Sequence, residues 1–369
     1  VCLPTTPTDL ALARIYAATS LAALAKASPA LRDFVAAESA LEAALFDANE
    51  QAAKVAIAAS LRALNAGASP DEIGAVAGAA FSPAFAPLAS RAIDAATPLF
   101  YVIGKADGYA RATGKSVGVA TVNTPQIAKV DPAKLAAGFN VDWNLADNEA
   151  IAALKTHRTF WVNGADEVLY TGMATASVAR DVMVRDGLSG FEAAKALEAR
   201  LKVLSGGVDP DVPGHWLGAS GRASYFRGVA TNAATVGRTL GSVKAIGDAG
   251  VQEIQINAVL DERTCSRCRM MDGRRIAIGD ALAARSALLT SKSRVDVQTA
   301  HPWRGEKWFG ANVGHGDESR EKLDPAFSAK LRAAGVAIPP WHMFCRCAAD
   351  VPINARLAPP GRPRALGRA

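Results

Sequence analysis

The chain has 369 residues, 50% of them hydrophobic and 21% charged, which is an ordinary globular balance with enough apolar mass for two or three domains. Its 41 Lys and Arg against 35 Asp and Glu leave a mild +6, too diffuse to mark a nucleic-acid binder and too small to exclude one. Five cysteines, four of them in two short clusters, do not make a secreted disulfide framework and fit a reducing compartment better.

Arg, Lys, Asp or Glu interrupts each alanine-rich segment, so no apolar run is expected to reach the ~18 to 20 residues of a membrane span. The expectation is a soluble protein with no membrane partner. The opening segment carries Asp9 and Arg14 and lacks the basic leader of a secretory signal, so residues 8–27 read as a first helix. Residues 29–66 read as a second, long or kinked, with Ser28 as cap, Pro29 at its first position and Gly67 as its stop. Ser69 and Pro70 repeat the start signal, and a helical stretch from about Pro83 to Ala112 is expected to be interrupted at Pro87 and Pro98.

From Thr113 to Asn144 the pattern lacks helical periodicity and reads as loop or short extended chain. Helices resume at Leu145 to Thr156, Asp166 to Asp186 and Phe191 to Leu204. Glycines, prolines and aspartates between Ser205 and Gly214 then form the strongest break in the chain. Beyond it, Ala219 to Gly250 reads as one helix and Val251 to Leu260 as a strand leading to Cys265. "MDG" is a turn and "RRIAI" a short returning strand. The chain from His301 onward reads as loop-rich, ending in an Arg/Pro tail unable to bury apolar surface.

The fold class is therefore a mainly α N-terminal region followed by a small α+β, loop-rich C-terminal domain with a Cys/His cluster. The divisions are 1–115, a helical bundle or arm; 116–205, a second helical block; 206–352, the cysteine-bearing domain; and 353–369, the basic tail.

Cys265 and Cys268 form a C-x-x-C pair, and "HMFCRC" places His342, Cys345 and Cys347 in a second cluster. Two thiolates on one turn can bind a single ion, and a second short cluster can complete the tetrahedron of a structural zinc. Five candidate donors compete for four places, with His342 ranked fifth because it can serve as a hydrogen-bond partner of the cluster. The 73 residues between Cys268 and His342 leave it to folding to bring the clusters together. Arg263, Arg267, Arg269 and Arg346 would help hold deprotonated thiols. The residues alone leave open a structural zinc, unligated reduced cysteines, or a disulfide such as Cys268 with Cys345. A thioredoxin-like redox pair is disfavoured, since a turn and another strand follow the motif.

Other candidates are weaker. His157, His215, His301 and His315 have no neighbours at ligand spacing and read as surface or core histidines. Gly108 to Gly114 is one residue too wide for a phosphate-binding loop, and no G-x-S-x-G elbow or paired catalytic carboxylates occur, so no catalysis is expected. Trp303, Trp308 and Trp341 read as core and interface before base-stacking groups. Arg356, Arg362, Arg364 and Arg368 on the tail suit DNA phosphates, an acidic protein surface or solvent.

The run "DERTCSRCRMMDG" followed by "PPWHMFCRC" resembles the C-terminal signature of the phage head morphogenesis proteins, the Mu F-like minor head family. The matching positions are Asp261, Arg263, Thr264, Cys265, Cys268, Asp272 and Gly273, then Pro339, Pro340, His342, Cys345, Arg346 and Cys347. The likeness covers about residues 220 to 352, including Arg227, Asn232 and Arg238 on a polar helix; Met343 and Phe344 replace the family's Pro-Asn. The resemblance implies a structural minor head protein of a tailed phage, present in a few copies. It implies partners in the portal and other head proteins, contact with packaged DNA, and a place in the virion head or neck after assembly in the host cytoplasm. It also implies that Asp261 and Asp272 tie the clusters together through Arg263, Arg346 or turn amides. Rival readings are a zinc-stabilised nucleic-acid-binding protein and a toxin-like ADP-ribosyltransferase.

Overall fold

A computed structural model describes residues 29–115, 131–162, 165–206, 219–260, 264–314, 322–342 and 345–352. The helix read at 8–27 and the tail at 353–369 lie outside the described residues. Helix α1 spans Pro29–Asn65 and α2 spans Pro70–Thr113. Between them the chain reverses through Gly67 in the left-handed region, at φ 80°. Ser69 then starts α2 with a capping box, its Oγ accepting from the Glu72 amide while the Glu72 carboxylate accepts from the Ser69 amide.

The interruptions expected in α2 do not occur: 44 residues run as one helix with Pro83, Pro87 and Pro98 inside it. Each internal proline removes a hydrogen bond and costs about 3 kcal/mol in an isolated helix. Here Phe81, Phe85, Ile93, Leu99 and Phe100 are all but fully buried, and burying side chains of this size stabilises by roughly 1.5–3 kcal/mol each. Packing on α1 and its neighbours thus outweighs the local propensity. The expectation on apolar length is also corrected: an 18-residue window of α2 has mean hydropathy 1.4, so the helix is long and apolar enough to cross a membrane by length and composition.

Part of the stretch read as loop is helical, α3 at Pro132–Gly138, capped by Asp131. Helices α4 (Leu145–Val162), α5 (Ala165–Arg180, continued by a π turn over Asp181–Arg185) and α6 (Gly190–Gly206) follow. Helix α7 spans Ala219–Asp248 and ends near Gly250, at φ 78°. The break expected at Ser205 to Gly214 falls at the end of α6 and in 207–218, outside the described residues.

The remaining chain forms β1 (Glu253–Asn257), α8 (Ser266–Met271), β2 (Arg275–Ala277), α9 (Ile278–Thr290), α10 (Arg294–Ala300), α11 (Glu306–Asn312), α12 (Pro325–Ala333) and β3 (Ala348–Asp350). Helices α11 and α12 fall where the sequence reads as loop. The three strands make one antiparallel sheet in the order β2-β1-β3. A mainly helical N-terminal region thus precedes a small α+β region, as the composition and periodicity indicate.

Two cores share α7. Its front half, through Ala230 and Ala234, completes a core with Leu41, Leu45, Phe81 and Phe100 of α1 and α2. Its back half, through Val236, Leu240, Val243 and Ile246, completes another with Ile254, Ile256 and Trp341. Asp107 of α2 lies at this junction, its carboxylate accepting from Arg238 of α7 at 2.8 Å and from Arg111 at 2.9 Å. Arg111 also reaches Asp350 of β3 at 2.7 Å.

Burial pushes the Asp107 carboxyl up, but Arg238 and Arg111 outweigh it and hold the group below its ordinary 3.8. A depressed folded-state value means that this stability is present above the unfolded value and is lost as pH falls through the folded one. Acid titration of the unfolding free energy should therefore show a decline below about pH 4 that is shallower in Asp107→Asn. Equal slopes in the two proteins would contradict the assignment.

Candidate metal centre

Strand β1 directs the chain toward the first cysteine pair, and local hydrogen bonds shape the turn around it. Thr264 Oγ1 donates to the Val259 carbonyl, and Asp272 Oδ1 accepts from the Ala258 amide at 2.8 Å. Gly273, at φ 73°, closes the hairpin by donating its amide to the Ile256 carbonyl. Cys265 takes the N-cap position of α8 and Cys268 lies within its first turn. Cys268 is 5% exposed and continuous with buried Met270 and Met271.

The C-x-x-C pair therefore does open a short helix after a strand. The next strand is β2, antiparallel to β1, so the βαβ unit of a thioredoxin-like site is not formed here.

The second cluster is carried by the chain entering β3. Trp341 is fully buried and donates its indole N–H to the Val336 carbonyl at 2.9 Å, fixing the residue before His342. Thr235 of α7 donates its hydroxyl to the Cys345 carbonyl at 3.0 Å, and Ser242 does the same to Ala349 at 3.3 Å. Cys347 immediately precedes β3, whose first residue, Ala348, pairs with Asn257 at the end of β1. That register brings the clusters to one end of the sheet despite their separation in sequence.

His342 Nε2 lies 3.2 Å from Cys265 Sγ and 3.1 Å from Cys268 Sγ. Cys268 Sγ lies 3.9 Å from Cys345 Sγ. Two sets of three donors result, Cys265 with Cys268 and His342, and Cys268 with Cys345 and Cys347, each with its ligand atoms within 4.8 Å of one another. His342, ranked fifth from sequence, thus touches both thiols of the first pair. The sulfur pair at 3.9 Å is too far apart for a disulfide, whose bond is about 2.05 Å. It is close to the roughly 3.8 Å edge of a tetrahedron with 2.3 Å metal–sulfur bonds.

The thiols divide by charge. The hydrogen bond from Cys268 pulls Cys265 down to about 3, against burial and with help from His342. Burial opposes ionisation of Cys345, but bonds from Cys268 and Cys347 and the charge of His342 bring it well below its ordinary value. Cys268 is raised because it donates to Cys265, Cys345 and Cys347, with burial adding to the effect. At Cys347 the bond from Cys268 pulls down, yet its bond to Cys345, burial and the nearby thiolate charge prevail and raise it. Thiols packed this closely cannot all ionise without a cation between them.

Two of the arginines expected to hold the thiolates bond to backbone carbonyls. Arg267 Nη1 donates to the Arg304 carbonyl at 3.1 Å, and Arg269 Nε donates to the Thr264 carbonyl at 3.1 Å. Asp261 and Arg263 lie outside the described residues. Of the histidines set aside, His157 contacts the Ser291 carbonyl and His301 the Ile338 carbonyl, both buried backbone contacts. His215 and His315 lie outside the described residues. Trp308 packs edge-on against Phe309, which packs on Trp341, while Trp303 is exposed.

Sequence reasoning missed a second polar cluster, deep between α2, α4, α7 and α9. Lys105 and Asp147 are 2.6 Å apart there, with side chains 3% and 0% exposed. Tyr101 donates to Asp147 at 2.9 Å, and Arg285 donates to Tyr101 at 2.8 Å. The Lys105 and Asp147 pair spans 42 positions of sequence, so no local signal announces it.

The buried thiols and imidazole form a donor set able to hold a metal ion. No family model, curated protein or solved structure matches the chain.

Proposed function

We propose that the chain is a structural minor head protein of a tailed phage, acting at the portal vertex during head assembly, and that a zinc ion pins its C-terminal region. The observation that carries this reading is the meeting of C-x-x-C with H-x-x-C-x-C, the two halves of the signature on which the resemblance rests, at one end of a small sheet. Four thiols and an imidazole suit zinc over hard, oxygen-seeking cations. Bound there, zinc would supply a cross-link between β1, α8 and the segment entering β3, in a region whose strands are only three to five residues long.

On this reading Cys265, Cys268, His342, Cys345 and Cys347 are structural. Thr264 and Asp272 shape the turn that presents the first pair. The partners are the portal and other head proteins, with packaged DNA as a further contact.

Mass spectrometry of purified procapsids and mature heads tests the assignment, with the chain expected in both at a few copies per particle. Absence from heads defeats the placement. Elemental analysis of the isolated protein tests the metal: about one zinc per chain is expected, and less than about half argues against it.

A further inference from the structure

We propose that Lys105 and Asp147 become joined by an intramolecular isopeptide bond, an autocatalytic cross-link between α2 and α4. Lys105 Nζ lies 2.6 Å from Asp147 Oδ2, and both side chains are almost wholly shielded from solvent. Reactants held this way gain large effective molarities, which turn a slow bimolecular condensation into a unimolecular step. The product also replaces two buried charges with one neutral amide, removing the desolvation penalty that a buried ion pair carries.

The surroundings supply a role for each reacting atom. Tyr101 donates its hydroxyl to Asp147 Oδ1 at 2.9 Å, the position in which a donor stabilises negative charge on that oxygen during attack at Cγ. Arg285 Nη2 donates to the Tyr101 oxygen at 2.8 Å and Nε to the Leu240 carbonyl at 3.1 Å, so Arg285 is a positioning residue for the phenol. Burial pushes the Tyr101 hydroxyl up, which keeps it a donor. The Asn144 amide donates to Asp147 Oδ2 at 2.9 Å, marking the oxygen that departs. Lys105 Nζ also donates to the Asp142 carbonyl, which can accept the single N–H that the amide retains. Trp143 covers the ammonium group at 5.7 Å and packs edge-on against Tyr101.

The step balances within the pair. The Nζ–Cγ bond forms and the Cγ–Oδ2 bond breaks. Of the three protons on Nζ, one remains on the amide and two leave with Oδ2 as water. No oxidant, cofactor or second substrate is consumed.

Intact-mass measurement of the denatured full-length chain tests the proposal. The expected mass is about 18 Da below that of the sequence, one water lost. Trypsin does not cut after an acylated lysine, so the Lys105 peptide should emerge joined to the one containing Asp147. Lys105→Arg keeps a cation beside Asp147 but lacks the amine, and should show the full mass. Tyr101→Phe removes only the hydroxyl and should slow the reaction about a hundredfold, leaving most chains unlinked when the wild type is complete. A wild-type chain of full mass that yields a free peptide ending at Lys105 overturns the proposal. So does a water loss mapping to Asp272-Gly273, where succinimide formation produces the same change in mass.

Discussion

Replacing Cys268 with alanine should abolish binding of the proposed zinc and unfold the region beyond α7. Cys268 is the one donor common to both sets, 3.1 Å from His342 and 3.9 Å from Cys345, and it is buried in the same core as Met271 and Trp341. Structural zinc sites bind with apparent free energies of about 10–16 kcal/mol at neutral pH, comparable with or larger than the whole stability of about 5–15 kcal/mol of an ordinary domain. Losing the shared donor should therefore be close to losing the site. Elemental analysis should fall below about half a zinc per chain, and protease cleavage should appear between β1 and β3. Cys265→Ala, at a half-buried donor belonging to one set, should have a milder effect. A Cys268→Ala protein that binds as much zinc as the wild type and resists protease equally would defeat both the proposed site and its structural role.

Valine at Gly241 should be nearly as damaging, through a different mechanism. Helices α2 and α7 cross where glycines four residues apart lie on one face of each, Gly104 and Gly108 on α2, Gly237 and Gly241 on α7. A Cβ at Gly241 would stand 2.2 Å from the Tyr101 carbonyl oxygen and 2.7 Å from the Lys105 amide, both backbone atoms that cannot rotate away. Adding bulk to a filled core commonly costs about 1–3 kcal/mol, and backbone-to-backbone contact places this site at or above the top of that range. Separating the helices would also disturb Arg238 with Asp107 and Tyr101 with Asp147. Denaturant unfolding should show a loss of about 3 kcal/mol or more. Gly310→Ala in α11, where a Cβ meets nothing within 4 Å, is the control expected to cause no loss. Equal stability of the Gly241→Val protein and the wild type would remove the close crossing from the account.

Signals confined to a few neighbouring residues were legible in the sequence. Ser69-Pro70 marks the start of α2, and Gly67 and Gly250 mark helix ends, because caps and left-handed turns are local chemistry. Asp131-Pro132 and Asp324-Pro325 carry the same start signal and open α3 and α12, but both follow glycine- or proline-bearing stretches that read as loop. The continuity of α2 through three prolines was not legible, since it rests on side chains supplied by other helices. The five donors could be named from their spacing. Their convergence could not, because it depends on Asn257 pairing with Ala348 across most of the C-terminal chain. The reach of His342 to both Cys265 and Cys268 was not legible either, since it follows from the anchoring of Trp341, a tertiary contact.

The division of α7 between two interiors bears on how the protein can be dissected. A fragment cut after Gly206 would carry the helix but leave Ala230 and Ala234 facing water where α1 and α2 had covered them. Such an excised piece should self-associate through that bare stripe, even with every cysteine present. Recombinant work on the cysteine-bearing region will therefore need α1 and α2 supplied alongside it.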